Sequence, residues 1–182
     1  YRPAAIARMR GAVQDGAPVL LDARVSSPSV LTQAMTRWMG FAPSGPDRVL
    51  VEGIFNQPYA IPNFRARGYV APLDTPIGFW RSVGNSHNGF FQECFMDELA
   101  VAAGTDPLDM RMALTRYEWE PAYNVLEALR DLSGWTGQSP EGTGRGLAFC
   151  YSFGTPVGMV LDIEDQDGAL RLTKAWIVAD PG

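Results

Sequence analysis

The residues best suited to chemistry lie in one run, from Phe79 to Asn88. Within it, Gly84-Asn85-Ser86 precedes a long helical pattern, and a helix start offers free backbone N–H groups, capping side chains and the positive end of the helix dipole. Those features suit an anion, although nearly every helix start has such a cap. Trp80 and Arg81 lie shortly before this helix start. Aromatic surface with converging donors predicts a site for a flat heterocyclic ligand.

Two residues of this run have competing interpretations. His87, in the first turn of the helix, is either a hydrogen-bond donor to a ligand or an ordinary surface histidine. Arg81 needs an anion or carbonyl groups if the neighbouring aromatic residues bury it, because a buried unpaired charge is costly. Its partner within the chain would be Glu93 or Asp97, which share one helix face.

The sequence supplies no complete catalytic or metal-binding set. His87 is the only histidine, so a metal triad of histidines cannot be assembled from this chain. Glu93 and Asp97 are poor catalytic carboxylates, since like charges at this spacing are common on a solvated face. Cys94 and Cys150 belong to no C-x-x-C or Cys/His cluster, and we expect each to be a free, buried thiol.

Composition limits the class of protein and of partner. The 182 residues are 46% hydrophobic and 19% charged, as in a globular chain that can bury a core without disulfides. The net charge of −5 and the lack of a dense Lys/Arg run exclude nucleic acid as an expected partner. No apolar stretch approaches bilayer-spanning length, so we expect no integral membrane segment.

Residue patterning predicts an α+β fold, with a mostly antiparallel sheet from N- and C-terminal hairpins and a central group of about three helices. The divisions are residues 1–40 (hairpin and helix), 41–83 (loops and strand), 84–135 (helices) and 142–182 (strands). In the longest helix, from Ser86 to Ala103, the stripe expected to face the core consists of Phe90, Phe91, Cys94, Phe95, Leu99 and Ala102. The same patterning indicates a core position for Phe149.

The chain starts at Tyr1 without a methionine and stops at Asp180-Pro181-Gly182, directly after a strand-like run. We therefore expect residues 1–182 to be a single segment of a longer protein.

Three blocks resemble a known family. They are Pro58-Tyr59-Ala60-Ile61-Pro62-Asn63-Phe64-Arg65, Gly78-Phe79-Trp80-Arg81-Ser82-Val83-Gly84, and Glu93 with Leu99-Ala100-x-x-x-Gly-x-Asp-Pro-x-x-x-Arg111. Together they resemble the molybdopterin-binding large subunit of the xanthine dehydrogenase and aldehyde oxidase family, closest to its isoquinoline 1-oxidoreductase beta-subunit branch. The specific part of this resemblance runs from Tyr59 to Arg111.

The resemblance implies a bacterial enzyme with a molybdenum–molybdopterin cofactor, which hydroxylates a small-molecule substrate, an aldehyde or N-heterocycle, with oxygen from water. Electrons would pass to iron–sulfur clusters in a small partner subunit, with a cytochrome as a candidate acceptor, in either the cytoplasm or the periplasm. The residues implied to face the cofactor are Trp80, Arg81, Ser82, Gly84, Asn85 and His87. By position, Val83 and Phe149 match two aromatic residues that contact substrate in the family.

Two departures leave an alternative open. Ser82 and Val83 replace glycine and phenylalanine, which predicts a substrate slot unlike that of purine oxidisers. The family's catalytic glutamate, the general base that such chemistry needs, belongs to a distant motif outside these residues, so we expect this segment to be inactive alone. The alternative is a scaffold or interaction module that keeps the fold without the cofactor.

Overall fold

The computed structural model describes residues 1–139 and 141–182, which form an α+β fold with four α-helices and two three-stranded sheets. The helices are α1 (Val30–Met39), α2 (Asn85–Ala103), α3 (Pro107–Thr115) and α4 (Glu120–Ser133). The strands are β1 (Ile6–Gln14), β2 (Ala17–Ser27), β3 (Asn63–Val70), β4 (Thr143–Ser152), β5 (Thr155–Gln166) and β6 (Ala169–Ala179). The predicted fold class is confirmed, but the strands form two sheets rather than one.

The first sheet has the order β1-β2-β3 and begins with the predicted hairpin. Asp15 and Gly16 have φ values of 50° and 75°, which gives the two-residue turn the twist that a hairpin needs. β3 then pairs in parallel with β2, so that Arg65 lies opposite Asp22. Parallel pairing needs a long crossover, and the connection from β2 to β3 supplies one that contains α1.

The second sheet has the order β4-β5-β6 and is antiparallel throughout. Its strands confirm the extended pattern expected for residues 142–182. The Gly-rich stretch 137–146 runs into the first residues of β4 and includes Pro140, which lies outside the described residues. Helix α2 contacts β1 and β2 of the first sheet and β4 of the second, while α4 packs on β5 and β6. The helices therefore join the two sheets.

The buried face of α2 differs from the predicted stripe. Phe90 is 66% exposed, and Cys94 and Ala102 are exposed as well, so the prediction is wrong at these positions. The residues that α2 buries are Asn85, Asn88, Gln92, Glu93, Met96, Leu99 and Ala100. Several of these are polar and bond to neighbouring segments, which lowers the cost of burying them. A pattern of apolar residues does not reveal the buried face of a helix when that face carries polar side chains.

A buried ion pair between Glu93 and Arg111 joins α2 to α3. Arg111 is fully buried, and its Nε donates to Glu93 Oε2 at 2.9 Å while its Nη2 donates to the Glu93 carbonyl oxygen at 2.9 Å. The Tyr59 hydroxyl donates to Glu93 Oε1 at 3.0 Å, and the Phe149 N–H donates to Glu93 Oε2 at 2.7 Å. One carboxylate thus connects α2, α3, β4 and the loop before β3. The prediction that Glu93 lies on a solvated face is wrong.

Replacing Arg111 with methionine should destabilise the chain strongly. The change leaves the Glu93 carboxylate buried without its cation, which typically costs about 3–5 kcal/mol. We expect urea unfolding to show a loss of that size, whereas R116M, at an exposed arginine just after α3, should change the free energy of unfolding by less than about 1 kcal/mol. A loss below about 1 kcal/mol for R111M would contradict the role of the ion pair.

Candidate functional site

The residues of the predicted site form a strained turn and the first turn of α2. Ser82 and Val83 have φ values of 67° and 47°, in the left-handed region that a β-branched residue such as valine rarely adopts. The turn is closed by hydrogen bonds from the Val83 N–H to the Trp80 carbonyl oxygen at 3.0 Å and from the Asn85 N–H to that of Ser82 at 2.8 Å. Such strain persists where the surrounding structure over-determines the backbone, and it clusters at functional sites.

The segment 49–53 packs against this turn and against the start of α2. A Cβ on Gly84 would overlap the Val49 carbonyl oxygen, and a Cβ on Gly53 would lie 2.9 Å from the Asn85 Cα. Asn88 Nδ2 donates to the carbonyl oxygens of Leu50 at 3.0 Å and of Glu52 at 2.7 Å. Both glycines are therefore required by close backbone approach, and Asn88 fixes the angle at which α2 leaves the turn.

The start of α2 is less open to an anion than its sequence predicts. The Gly84 N–H donates to Glu52 Oε2 at 3.3 Å, and the Ser86 N–H donates to the Val83 carbonyl oxygen at 3.3 Å. Gly84 is the N-cap, and within the described residues no side chain caps the helix. The prediction of free N–H groups with capping side chains is wrong here, because the chain's own carboxylate occupies this end. Burial raises the pKa of Glu52, the Gly84 hydrogen bond opposes that rise, and the charge of Asp47 adds to it.

Arg81 is exposed, so the condition under which it would need a partner inside the chain is not met. Trp80 is 54% exposed and lies under the guanidinium of Arg2, whose Cζ is 4.4 Å from the ring centroid. Glu93 and Asp97, the partners expected for Arg81, contact Arg111 instead, at 2.9 and 2.8 Å. In the part of the chain that the structure describes, Arg81 forms no ion pair, and its guanidinium can meet an external anion.

Two polar side chains at the start of α2 have buried nitrogens without hydrogen bonds. Asn85 is 5% exposed, and its Nδ2 has no partner among residues 1–139 and 141–182. His87 is half-buried rather than a surface histidine, and its buried Nε2 likewise has no partner in those ranges. Burial lowers the pKa of His87, which keeps the imidazole neutral near pH 7. An unsatisfied buried polar group costs about 1–3 kcal/mol, so both nitrogens favour a ligand that bonds to them.

A groove of about 290 Å³ runs between α2 and the edge strand β4. Its lining residues are Asn85, Gly89, Phe90, Glu93, Cys94, Asp97, Leu147, Ala148, Phe149 and Cys150. The Cys150 thiol lies 3.8 Å from Asn85 Oδ1, which connects β4 to the start of α2. Asn85, whose Nδ2 has no partner among the described residues, is therefore part of the lining of a largely apolar groove.

The two residues predicted to face substrate lie on different elements. Val83 is half-buried in the strained turn, whereas the Phe149 side chain is 1% exposed and packs edge-on against Tyr59, with ring centroids 6.1 Å apart. The core position indicated by patterning is thus confirmed for Phe149. Phe149 also lines the groove, and its backbone N–H is held by Glu93.

The two cysteines are free thiols, as predicted, but their surroundings differ. Cys94 is exposed, contrary to the expectation of burial, and Cys150 is half-buried. Burial, reinforced by the charges of Glu93 and Glu52, raises the pKa of Cys150 to about 11. Neither thiol is therefore activated at neutral pH.

Sequence reasoning missed the structural roles of the two acidic residues that organise this region, Glu52 and Glu93. Glu52 lies in an apolar stretch of the sequence, and no sequence pattern marks it, because its partner is a backbone N–H 32 residues away. Glu93 and Arg111 both belong to the recognised blocks, so their joint presence could have suggested a pair. Across the described ranges, no three His, Cys, Asp or Glu side chains are grouped as metal ligands, and none of the helices is long and apolar enough to cross a bilayer.

Comparisons with known proteins agree with the resemblance. Residues 31–114 match the molybdopterin cofactor-binding domain, a range that includes the strained turn and the Glu93–Arg111 pair. The chain is 23% identical over 129 residues to the isoquinoline 1-oxidoreductase subunit beta of Brevundimonas diminuta, an alignment that covers 68% of this chain and 16% of that protein. The chain thus spans a small part of that relative's length. No solved structure matches.

Replacing Glu52 with glutamine should change how stability depends on pH. Burial raises the folded-state pKa of Glu52, so this group's contribution to stability is largest below the ordinary value of 4.5 and falls as the pH rises through the folded-state pKa. Glutamine keeps an acceptor for the Gly84 N–H without the charge. We expect E52Q to be more stable than wild type at pH 7 in urea unfolding, and E118Q, at an exposed glutamate, to be neutral. Lower stability of E52Q at pH 7 would contradict this account.

The two thiols should react with Ellman's reagent in separate phases. Cys94 is exposed, whereas a pKa of about 11 leaves about one Cys150 side chain in a thousand as thiolate at pH 8. We expect one thiol equivalent to react in the native chain and the second only on unfolding. C94S should abolish the early phase and C150S the late one. Equal rates for both thiols in the native chain would show that Cys150 is accessible.

Proposed function

We propose that this chain, whose residues 31–114 belong to the molybdopterin cofactor-binding domain family, forms one wall of the cofactor site in a molybdenum hydroxylase. The observation that carries the proposal is the start of α2, where a strained turn is followed by the buried nitrogens of Asn85 and His87, which have no hydrogen-bond partner among the described residues, and is preceded by Arg81, which forms no ion pair with them. The cofactor-facing set of Trp80, Arg81, Ser82, Gly84, Asn85 and His87 lies in one continuous stretch of chain.

The chemistry of these groups suits a pterin cofactor. A heterocycle rich in hydrogen-bonding atoms can satisfy the Asn85 amide and the His87 imidazole, and the Arg81 guanidinium is a planar fork for a phosphate group. Trp80 is about half exposed and adds aromatic surface beside these groups, whereas the space at Gly84 is taken by the chain's own Val49 and Glu52. When bound, the molybdenum cofactor would supply the two-electron oxidation chemistry that these side chains lack.

In this proposal the chain binds and orients, while the proton chemistry comes from elsewhere. The Glu93–Arg111 pair fixes Phe149 and the wall of the groove, and Val83 shapes the adjoining surface. The general base lies outside residues 1–182, so this segment is inactive alone. The complete protein would oxidise an aldehyde or N-heterocycle with oxygen from water, and pass electrons to a small iron–sulfur subunit and on to a cytochrome. The name of the bacterial relative, which specifies isoquinoline, supports an N-heterocycle.

One observation favours a second candidate, a scaffold or interaction module that keeps the fold without the cofactor. The Glu52 carboxylate already occupies the Gly84 N–H, which reduces the capacity of the helix start to hold an anionic group. The two candidates differ in whether the complete protein contains molybdenum.

Expression of the complete protein tests the proposal through its metal content and its dye-linked oxidation of aldehydes and N-heterocycles. We expect molybdenum in the wild type, and a loss of at least about tenfold in activity with lower molybdenum content in R81Q, since hydrogen bonds to charged groups contribute about 1.5–3 kcal/mol. R116Q, at another exposed arginine, is the matched control and should behave as wild type. Well-folded complete protein without molybdenum would refute the proposal and support the scaffold.

A further inference from the structure

The outer face of the first sheet concentrates positive charge in an otherwise acidic chain. Across its three strands, Arg10, Asp22 and Arg65 form one row of directly opposite residues, and Arg8, Arg24 and Arg67 form the next. We call these five arginines, with Asp22 at their centre, the arginine face. Residues directly opposite one another in a sheet point to the same side, so all six side chains share one surface.

The opposite side of the sheet packs against the core, which leaves the arginine face to solvent. Ala23 and Val25 are fully buried on the inner side, whereas Arg8, Arg10 and Arg65 are exposed. The side chains of Arg24 and Arg67 keep 38% and 32% exposure. The guanidinium groups are therefore accessible to a partner.

Charge on this face is not balanced within the chain. Asp22 accepts from Arg65 Nε at 3.0 Å and from Arg67 Nη2 at 3.0 Å, and lies 3.6 Å from Arg24 Nη2. In the ranges that the structure describes, Arg8 and Arg10 form no ion pair. Like charges directly opposite in a sheet are destabilising, and the second row places three arginines side by side. An anionic partner would relieve this repulsion.

The arginine face and the rest of the chain differ strongly in net charge. Five arginines and one aspartate give the face a charge of +4, and since the whole chain carries −5, the remaining residues carry −9. Opposite potentials across an interface steer association and fix its register. The arginine face is therefore complementary to an acidic surface.

Exposed apolar residues lie on both sides of the two arginine rows, which indicates that the partner is a protein rather than a phosphate polymer. Ile6 is 71% exposed and Tyr69 is 48% exposed beyond one row, and Leu20 is 36% exposed beyond the other. Asp22 at the centre would repel a compact dianion, whereas carboxylates spaced along a chain can pair with the surrounding arginine forks. We propose that the arginine face docks an acidic segment of another protein, whose Asp and Glu side chains bind these arginines. This inference does not rest on the proposed cofactor site.

Fluorescence anisotropy with the whole 182-residue chain tests the assignment. The probe is a labelled peptide of eight Glu-Ala repeats, and its control is the matching Gln-Ala peptide. R8Q/R10Q removes two exposed arginines of the face, while R48Q/R171Q removes two exposed arginines elsewhere, with circular dichroism as the check on folding. Inorganic triphosphate and duplex DNA are the competing anions, and sedimentation velocity monitors self-association.

We expect the Glu-Ala peptide to bind in 25 mM salt and the Gln-Ala peptide not to bind. Affinity should fall about tenfold in R8Q/R10Q, remain within about twofold in R48Q/R171Q, and weaken in 300 mM salt. The proposal is overturned by the absence of Glu-Ala binding, or by binding that R8Q/R10Q leaves unchanged. Tighter binding of triphosphate or DNA at this face would assign it to phosphate, and salt-sensitive self-association that R8Q/R10Q abolishes would assign it to a second copy; either result also overturns the proposal.

Discussion

The carboxylate of Glu93 is the contact on which the rest of the structure depends. It accepts hydrogen bonds from the Arg111 guanidinium, the Tyr59 hydroxyl and the Phe149 backbone N–H, each from a different segment. Because Arg111 is fully buried, a shift that parted the two charges without admitting water would leave both of them uncompensated. The pair therefore makes the relative placement of α2, α3 and β4 specific, where apolar packing alone would tolerate small shifts.

The strained turn is a second consequence of polar packing. Val83 adopts a left-handed backbone because the segment 49–53 fixes α2 through Asn88 and leaves no room for a side chain at Gly84. The free energy stored there is offset by hydrogen bonds made elsewhere, as is common where a backbone must present groups to a ligand. The orphaned nitrogens of Asn85 and His87 lie just beyond this turn, and the same constraint holds them in place.

Much of the fold could be predicted from the chain. Hairpin turns such as Asp15-Gly16, the restart of a helix at Asp106-Pro107 and the stop at Gly134 are local signals that depend on the backbone preferences of one or two residues. The parallel pairing of β3 and the separation of the strands into two sheets could not be predicted, because both depend on contacts between residues far apart in sequence. The candidate site could be proposed from the sequence because its residues are contiguous, and its role stays a prediction.

The sequence by itself determined most of the element types and the family resemblance, and it singled out the residues proposed to face a cofactor, because these follow from local composition and from short motifs. Only the tertiary structure decided how each side chain is used. In the folded chain Arg81 is exposed, and Glu93 and Phe149 are buried. The Glu52 carboxylate accepts a hydrogen bond at the start of α2, and arginines from three strands lie on one face of the first sheet. The reason is physical: burial and charge pairing are set by neighbours distant in sequence, and no local pattern encodes which neighbour a polar side chain will meet.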